Sequence, residues 1–243
     1  MAEPLGGLKD TCVSLGLMVA TVVLVSLLLV GTLQGLSGSD TCHHHPRTHL
    51  PLRTFLLELL ATFQLCACTH ELTVKVQIDP SPHFGLTLTY FFTLVHGLIL
   101  AGSFCNPCAV LEKMAMERLA ASRGVLKILA QLAGALLARA YVLSVRSFSL
   151  IEQHRVNRYR PCRNPLNADV PKACLVEAIC SFIYHSAVIQ FKDVRPKLSI
   201  QLLAALITFL VFAGRLEPPP PLPPPAQGPG PPRPDGQTAP TGP

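Results

Sequence analysis

The chain has no tryptophan, and aromatic residues of all kinds make up only 6% of it. The shortage of charge is more telling. Asp, Glu, Lys and Arg together account for 14% of the 243 residues and apolar residues for 49%, where a soluble domain carries roughly a quarter charged. A chain so poor in charge cannot cover a water-facing surface, which places most of it in a bilayer. Sustained apolar–polar alternation is missing too, and with it the signature of a membrane-spanning β-barrel. The net charge of +6 is spread over several loops rather than gathered into a stripe, which excludes a nucleic-acid face. No nucleophile–base pair and no dedicated metal set converges in the sequence, so an enzyme is not expected, and neither is a cofactor. There is no Asn-x-Ser/Thr acceptor and no clear retention signal.

Charge-poor runs fall at about 12–33, 55–74, 86–104, 125–149, 173–191 and 198–214. Most reach the ~20 residues that carry a helix across ~30 Å of hydrocarbon, and the last is marginal. The expected fold is therefore all-α, a polytopic transmembrane helical bundle in contact with lipid. The first run reads as an uncleaved helix. A cleaved signal peptide is the alternative, but the apolar core is long for one and its leader is weakly charged. Asp79-Pro80-Ser81-Pro82 reads as a turn, residues 150–172 as a long extramembrane loop, and Lys192–Lys197 as a hinge. From Pro218 the sequence is mostly proline with almost nothing to bury, so 215–243 is expected to be a disordered tail or polyproline II. Lys and Arg, with Lys127 counted among the loop charges, divide almost evenly between the two sides and leave orientation undecided.

Two segments repeat. Residues 86–102, LTLTYFFTLVHGLILAG, align with 198–214, LSIQLLAALITFLVFAG, and both end in Ala-Gly. Glu58-Leu-Leu-Ala-Thr62-Phe63 precedes the first as Glu177-Ala-Ile-Cys-Ser181-Phe182 precedes the second, giving E-x-x-x-[S/T]-F twice. After Gly102 comes Ser-Phe-Cys-Asn106-Pro107-Cys108, whereas after Gly214 come Arg-Leu-Glu and prolines. Asparagine caps a helix well, and proline at the first helical position loses no needed hydrogen bond, so Asn106 should open a helix running to about Leu119. The plainer reading is a capped helix in an ordinary loop. Its place directly after an apolar run, inside a duplication, points instead to a re-entrant half-helix that ends midway through the membrane. Its positive dipole end and the Asn106 amide would then orient a water oxygen and repel cations.

On these residues the chain resembles the aquaporin, or major intrinsic protein, family, over about residues 8–214. Cys108 stands where most members have alanine, and with segments such as Tyr90-Phe-Phe-Thr-Leu-Val-His96-Gly97 it points to the unorthodox, or superaquaporin, branch. The resemblance implies two inverted repeats, each with three helices and one Asn-Pro half-helix, around a pore for water and small neutral solutes such as glycerol and hydrogen peroxide. It divides the chain into a membrane domain, 1–214, and the tail. That domain holds an extra helix at 12–33, a first repeat at about 55–149 and a partial second at about 172–214. Glu58 and Glu177 match buried glutamates that brace the pore loops. The family is tetrameric, which implies a homo-oligomer, and its unorthodox branch implies the endoplasmic reticulum membrane, with other intracellular membranes or the cell surface as alternatives. The second Asn-Pro-Ala loop, the arginine after it and the sixth core helix have no counterpart after Gly214. The expectation is a protein shortened after its fifth core helix, with passage impaired. The alternative is a non-conducting protein that assembles with full-length relatives or acts as a Pro-rich adaptor.

Other groups carry weaker signals. His96 and His185 lie in apolar runs and read as interior residues, or as pore or pH-sensitive groups. Arg139, also in a run, should snorkel or pair. The nine cysteines are too scattered for a disulfide framework, although Cys162 with Cys174 stays open as a pair. Cys105-x-x-Cys108 has the spacing of a dithiol but no β-α-β context. Cys42-His43-His44-His45 with His49 has metal-capable side chains, yet it sits in a polar linker where histidines are ordinarily just solvated.

Overall fold

A computed structural model describes residues 3–39, 49–78, 82–157 and 170–214, and all statements below concern these residues. The helices are α1 (Glu3–Ser39), α2 (His49–Ile78), α3 (Pro82–Ile99), α4 (Pro107–Ala115), α5 (Ala121–Ser147), α6 (Glu152–Asn157), α7 (Val170–Gln190) and α8 (Pro196–Gly214), with a 3-10 turn at Phe191–Asp193. Five of them, α1, α2, α5, α7 and α8, are long and apolar enough to cross a membrane, and α3 is a shorter apolar helix. The fold is an all-α polytopic bundle, as its composition requires.

α2 is the hub, packed against α1, α3, α5 and α6. Its contact with α5 is the most extensive, and small residues make it so. Ala67 on α2 and Ala130 and Ala138 on α5 are all buried, Ala67 and Ala138 in one cluster. Gly134 of α5 lies so close that an added Cβ would fall 2.5 Å from the Leu59 carbonyl oxygen. Lipid offers no hydrophobic drive for helix association, so this close backbone approach supplies the packing instead. α1 closes on α2 and α3 through Val25, Leu29, Leu60, Ala61 and Leu100, and through Met18, Cys68, Leu88 and Phe92. A hydrogen bond at 3.1 Å between Thr21 and the Tyr141 hydroxyl ties it to α5.

α8 packs on α3, where an added Cβ on Gly97 would fall 2.8 Å from Ile200 Cγ2. α7 rests mainly on α8 and the 3-10 turn and is otherwise uncovered. Outward faces carry Leu136, Phe182 and Phe209, each more than 60% exposed, as lipid-facing side chains should be.

Several boundaries differ from the sequence reading. The run expected to continue to 104 ends as helix at Ile99, because Gly102 takes φ +94° and turns the chain. α4 stops at Ala115 rather than near Leu119, with Met116 as its cap and Glu117 at φ +55°. The 150–172 loop contains α6, in which His154 is buried, as is Ile151 just before it. Arg139 points outward and is exposed. Cys174 is exposed near the start of α7, and its possible partner Cys162 is not among the described residues. The Cys42–His45 group, Cys162 and the proline tail lie outside the described residues.

A carboxylate-braced loop before a half-helix

The candidate site is the turn from Gly102 to Asn106 and the helix it launches. Asn106 is extended, at φ −143° and ψ 119°, and its Oδ1 accepts from the Cys108 N–H at 2.9 Å. Pro107 occupies the first helical position, and the first helical bond runs from the Val110 N–H to the Asn106 carbonyl at 3.3 Å. Nine residues give α4 a length of about 13 Å at ~1.5 Å per residue, under half the hydrocarbon thickness. Val110, fully buried, anchors it, and Asn106, Pro107 and Cys108 are exposed at its open end.

Glu58 holds the turn in place. It is fully buried on α2, and its two oxygens take four donors. Oε1 accepts from the Phe104 N–H at 2.9 Å and from the Lys127 ammonium at 2.6 Å. Oε2 accepts from the Cys105 N–H at 3.2 Å and from Gln131 Nε2 at 3.0 Å. A carboxylate has about four lone-pair sites, so each is used. Lys127 is itself buried, and its ammonium sits 4.7 Å from the centre of the Phe104 ring, a cation–π contact with the same loop. The bracing matters because Cys105 sits at φ +51°, a left-handed conformation that costs a residue with a Cβ roughly 1–3 kcal/mol. Hydrogen bonds to the two adjacent N–H groups over-determine that geometry.

The remaining site residues are placed unevenly. His96, near the end of α3, brings Nε2 to 3.5 Å from the Cys105 thiol. His185 of α7 is partly exposed, with Nδ1 3.5 Å from a Glu112 carboxylate oxygen on α4. Glu177 is exposed on α7, and among the described residues no loop reaches it as the Asn106 turn reaches Glu58. The two glutamates of the repeat thus occupy unlike surroundings. An open groove of about 520 Å³ lies between α3 and α8, lined by Leu86, Tyr90, Thr208 and Phe212 among others.

A second polar cluster lies further along α2. Glu71 is buried and accepts or shares a proton with His154 Nε2 at 3.0 Å, pinning α6 to α2. Lys75, buried one turn on, has its ammonium 4.7 Å from the Phe84 ring. The sequence reading singled out none of these three for the site.

Comparison with known proteins adds what geometry alone does not. Aquaporin-11 of Equus caballus is 48% identical over 208 residues, covering 85% of this chain and 73% of that protein. The chain belongs to the aquaporin family. Aquaporin-11 of Homo sapiens is 47% identical with the same coverage, and aquaporin-12 of Mus musculus is 29% identical over 61% of this chain and 54% of that protein. These relatives place the chain in the superaquaporin branch, a family of membrane channels. No family profile matches the chain, and no solved structure matches it.

Proposed function

We propose that the Asn106 half-helix is one half of a passive path for water and small neutral solutes, glycerol and hydrogen peroxide among them, across an intracellular membrane. The endoplasmic reticulum membrane is the first candidate. The observation that carries the reading is the four-donor Glu58, which fixes the strained turn that launches α4 and leaves Asn106, Pro107 and Cys108 exposed at its start. Such a terminus, with its positive dipole end, orients a water oxygen and disfavours cations. Asn106, Pro107 and Cys108 line the path, with Glu58 as its brace. His96 and His185 flank the half-helix as pore or pH-sensitive groups, and Glu177 holds the matching brace position of the second repeat, with no loop on it among the described residues.

The path of this family needs a second half-helix facing the first. In these 243 residues no Asn-Pro follows Gly214. With the described half-helix alone, we propose that passage is impaired or absent, and the exposure of Glu177 and the exposed faces of α7 fit that reading. Those faces also favour a second reading, in which the chain acts by assembling with relatives that carry both loops, tetramers being the family's habit, or as an adaptor through its proline segment. Swelling assays on cells expressing the chain alone and together with aquaporin-11 separate the two. Swelling above background from the chain alone would overturn the non-conducting reading. A change in the partner's surface or reticular distribution supports assembly, and an unchanged partner refutes it.

A further inference from the structure

A cavity of about 70 Å³, partly open beside the exposed Leu65 and Thr69, lies between α1, α2 and α3. Met18 of α1, Gln64 and Thr69 of α2, and Thr89, Thr93 and His96 of α3 line it. Its polar inventory is unbalanced. Gln64 is only 2% exposed, and its Oε1 is buried without a hydrogen-bond partner among the described residues. His96 Nδ1 is in the same state, although its Nε2 lies at the Cys105 thiol. Thr69 and Thr89 donate their hydroxyl protons to the carbonyls of Leu65 and Gly85, each at 2.8 Å, and keep their oxygen lone pairs.

Buried polar atoms left unpaired at the edge of a space large enough for water are the usual mark of an internal water, which needs two to four polar partners. About 30 Å³ per molecule gives room for roughly two. Gln64 Oε1 can only accept, whereas His96 Nδ1 accepts or donates according to its tautomer. The threonine oxygens supply further acceptors, so a water here can donate to Gln64 and exchange a hydrogen bond with His96. Dry cavities in proteins are apolar throughout; this one is mostly apolar but carries two buried, unpaired polar atoms at Gln64 and His96.

We propose that the α1–α2–α3 cavity is an internal hydration site anchored by Gln64 and His96, separate from the Asn106 path and built with α1 as one wall. Through His96 the bound water reaches the Cys105 side of the braced turn. The proposal does not depend on conduction.

The test uses the full chain in nanodiscs with labelled methyl groups on Thr89, Thr93 and Ala61. Water-to-methyl cross-relaxation with the sign of a long-lived water is expected at Thr89 and Thr93 and not at Ala61, which is fully buried in the dry α1–α2 cluster. Gln64→Met, close in shape but unable to accept, should abolish that signal and lower the unfolding temperature by about 2–4 °C. No cross-relaxation at Thr89 and Thr93 in the parent chain would overturn the proposal. So would a rise in unfolding temperature on Gln64→Met, because removing an unpaired polar atom from a dry space stabilises.

Discussion

Glu58 and Lys127 offer the sharpest quantitative test. The pair is buried, with side-chain exposures of 0% and 10%, and the two charges meet at 2.6 Å. Glu58→Ala strands the ammonium in the protein interior and leaves the Phe104 and Cys105 N–H groups without an acceptor. Breaking a buried ion pair from one side costs about 3–5 kcal/mol, because the remaining charge keeps its desolvation penalty. At roughly 2–4 °C per kcal/mol for a chain of this size, the unfolding temperature should fall by about 10 °C. Glu58→Gln should lose nearly as much, since an amide in this position turns its NH₂ against other donors. Lys127→Met alone leaves the carboxylate three neutral donors and should cost less. The double variant Glu58→Leu with Lys127→Met, which removes both charges, should be more stable than the sum of the single effects by about 1–3 kcal/mol. With no tryptophan to report unfolding, a fluorogenic thiol dye reading buried Cys68, in a chain whose other cysteines are replaced by serine or alanine, is the suitable assay. Additive single and double effects, or a Glu58→Ala chain that melts within 2 °C of the parent, would refute the brace.

Three further outcomes follow from the packing. Asn106→Ala removes the side-chain cap on the Cys108 N–H and should cost about 1 kcal/mol, read as a fall of roughly 2–4 °C in the same melt. Gly134→Val drives a branched side chain into the Leu59 carbonyl and should part α2 from α5, seen as loss of the monodisperse peak in detergent chromatography; a normal peak would contradict the close approach. His154→Ala removes the partner that holds α6 on buried Glu71, so trypsin should cut after Arg155 at least several-fold faster in the folded chain, and an unchanged rate would contradict the pinning.

Much of the architecture was legible because lipid imposes so few solutions. The apolar runs had to be helices, and each run has its helix, although α1 starts nine residues early and α3 stops five residues short. The Asn106-Pro107 start was readable for a local reason, since cap and first-turn chemistry depends on adjacent residues. Its end was not, because Glu117 at φ +55° is a non-glycine residue in a conformation that composition does not announce. Glu58 stood out through the E-x-x-x-[S/T]-F repeat, and a carboxylate in an apolar run needs a partner. The partner did not stand out, because Lys127 near the start of a helix reads as an ordinary flanking charge. Its spacing from Gln131, one helical turn along the same face, was the available signal. Glu71 and His154 are 83 residues apart, and nothing local links them. His96 was readable as an interior residue, but its contact with Cys105 depends on the Gly102 turn folding the chain back.

The central claim is that α4 is a re-entrant half-helix whose Asn106 end sits deep in the membrane and meets water. A spin label at Cys108, in a chain whose other cysteines are replaced, measures this directly through collision rates with oxygen and with a polar nickel chelate in nanodiscs. The account predicts a label near the bilayer midplane that the chelate still reaches, with a second label at Arg118 at headgroup depth. A Cys108 label at headgroup depth or in bulk water would contradict it.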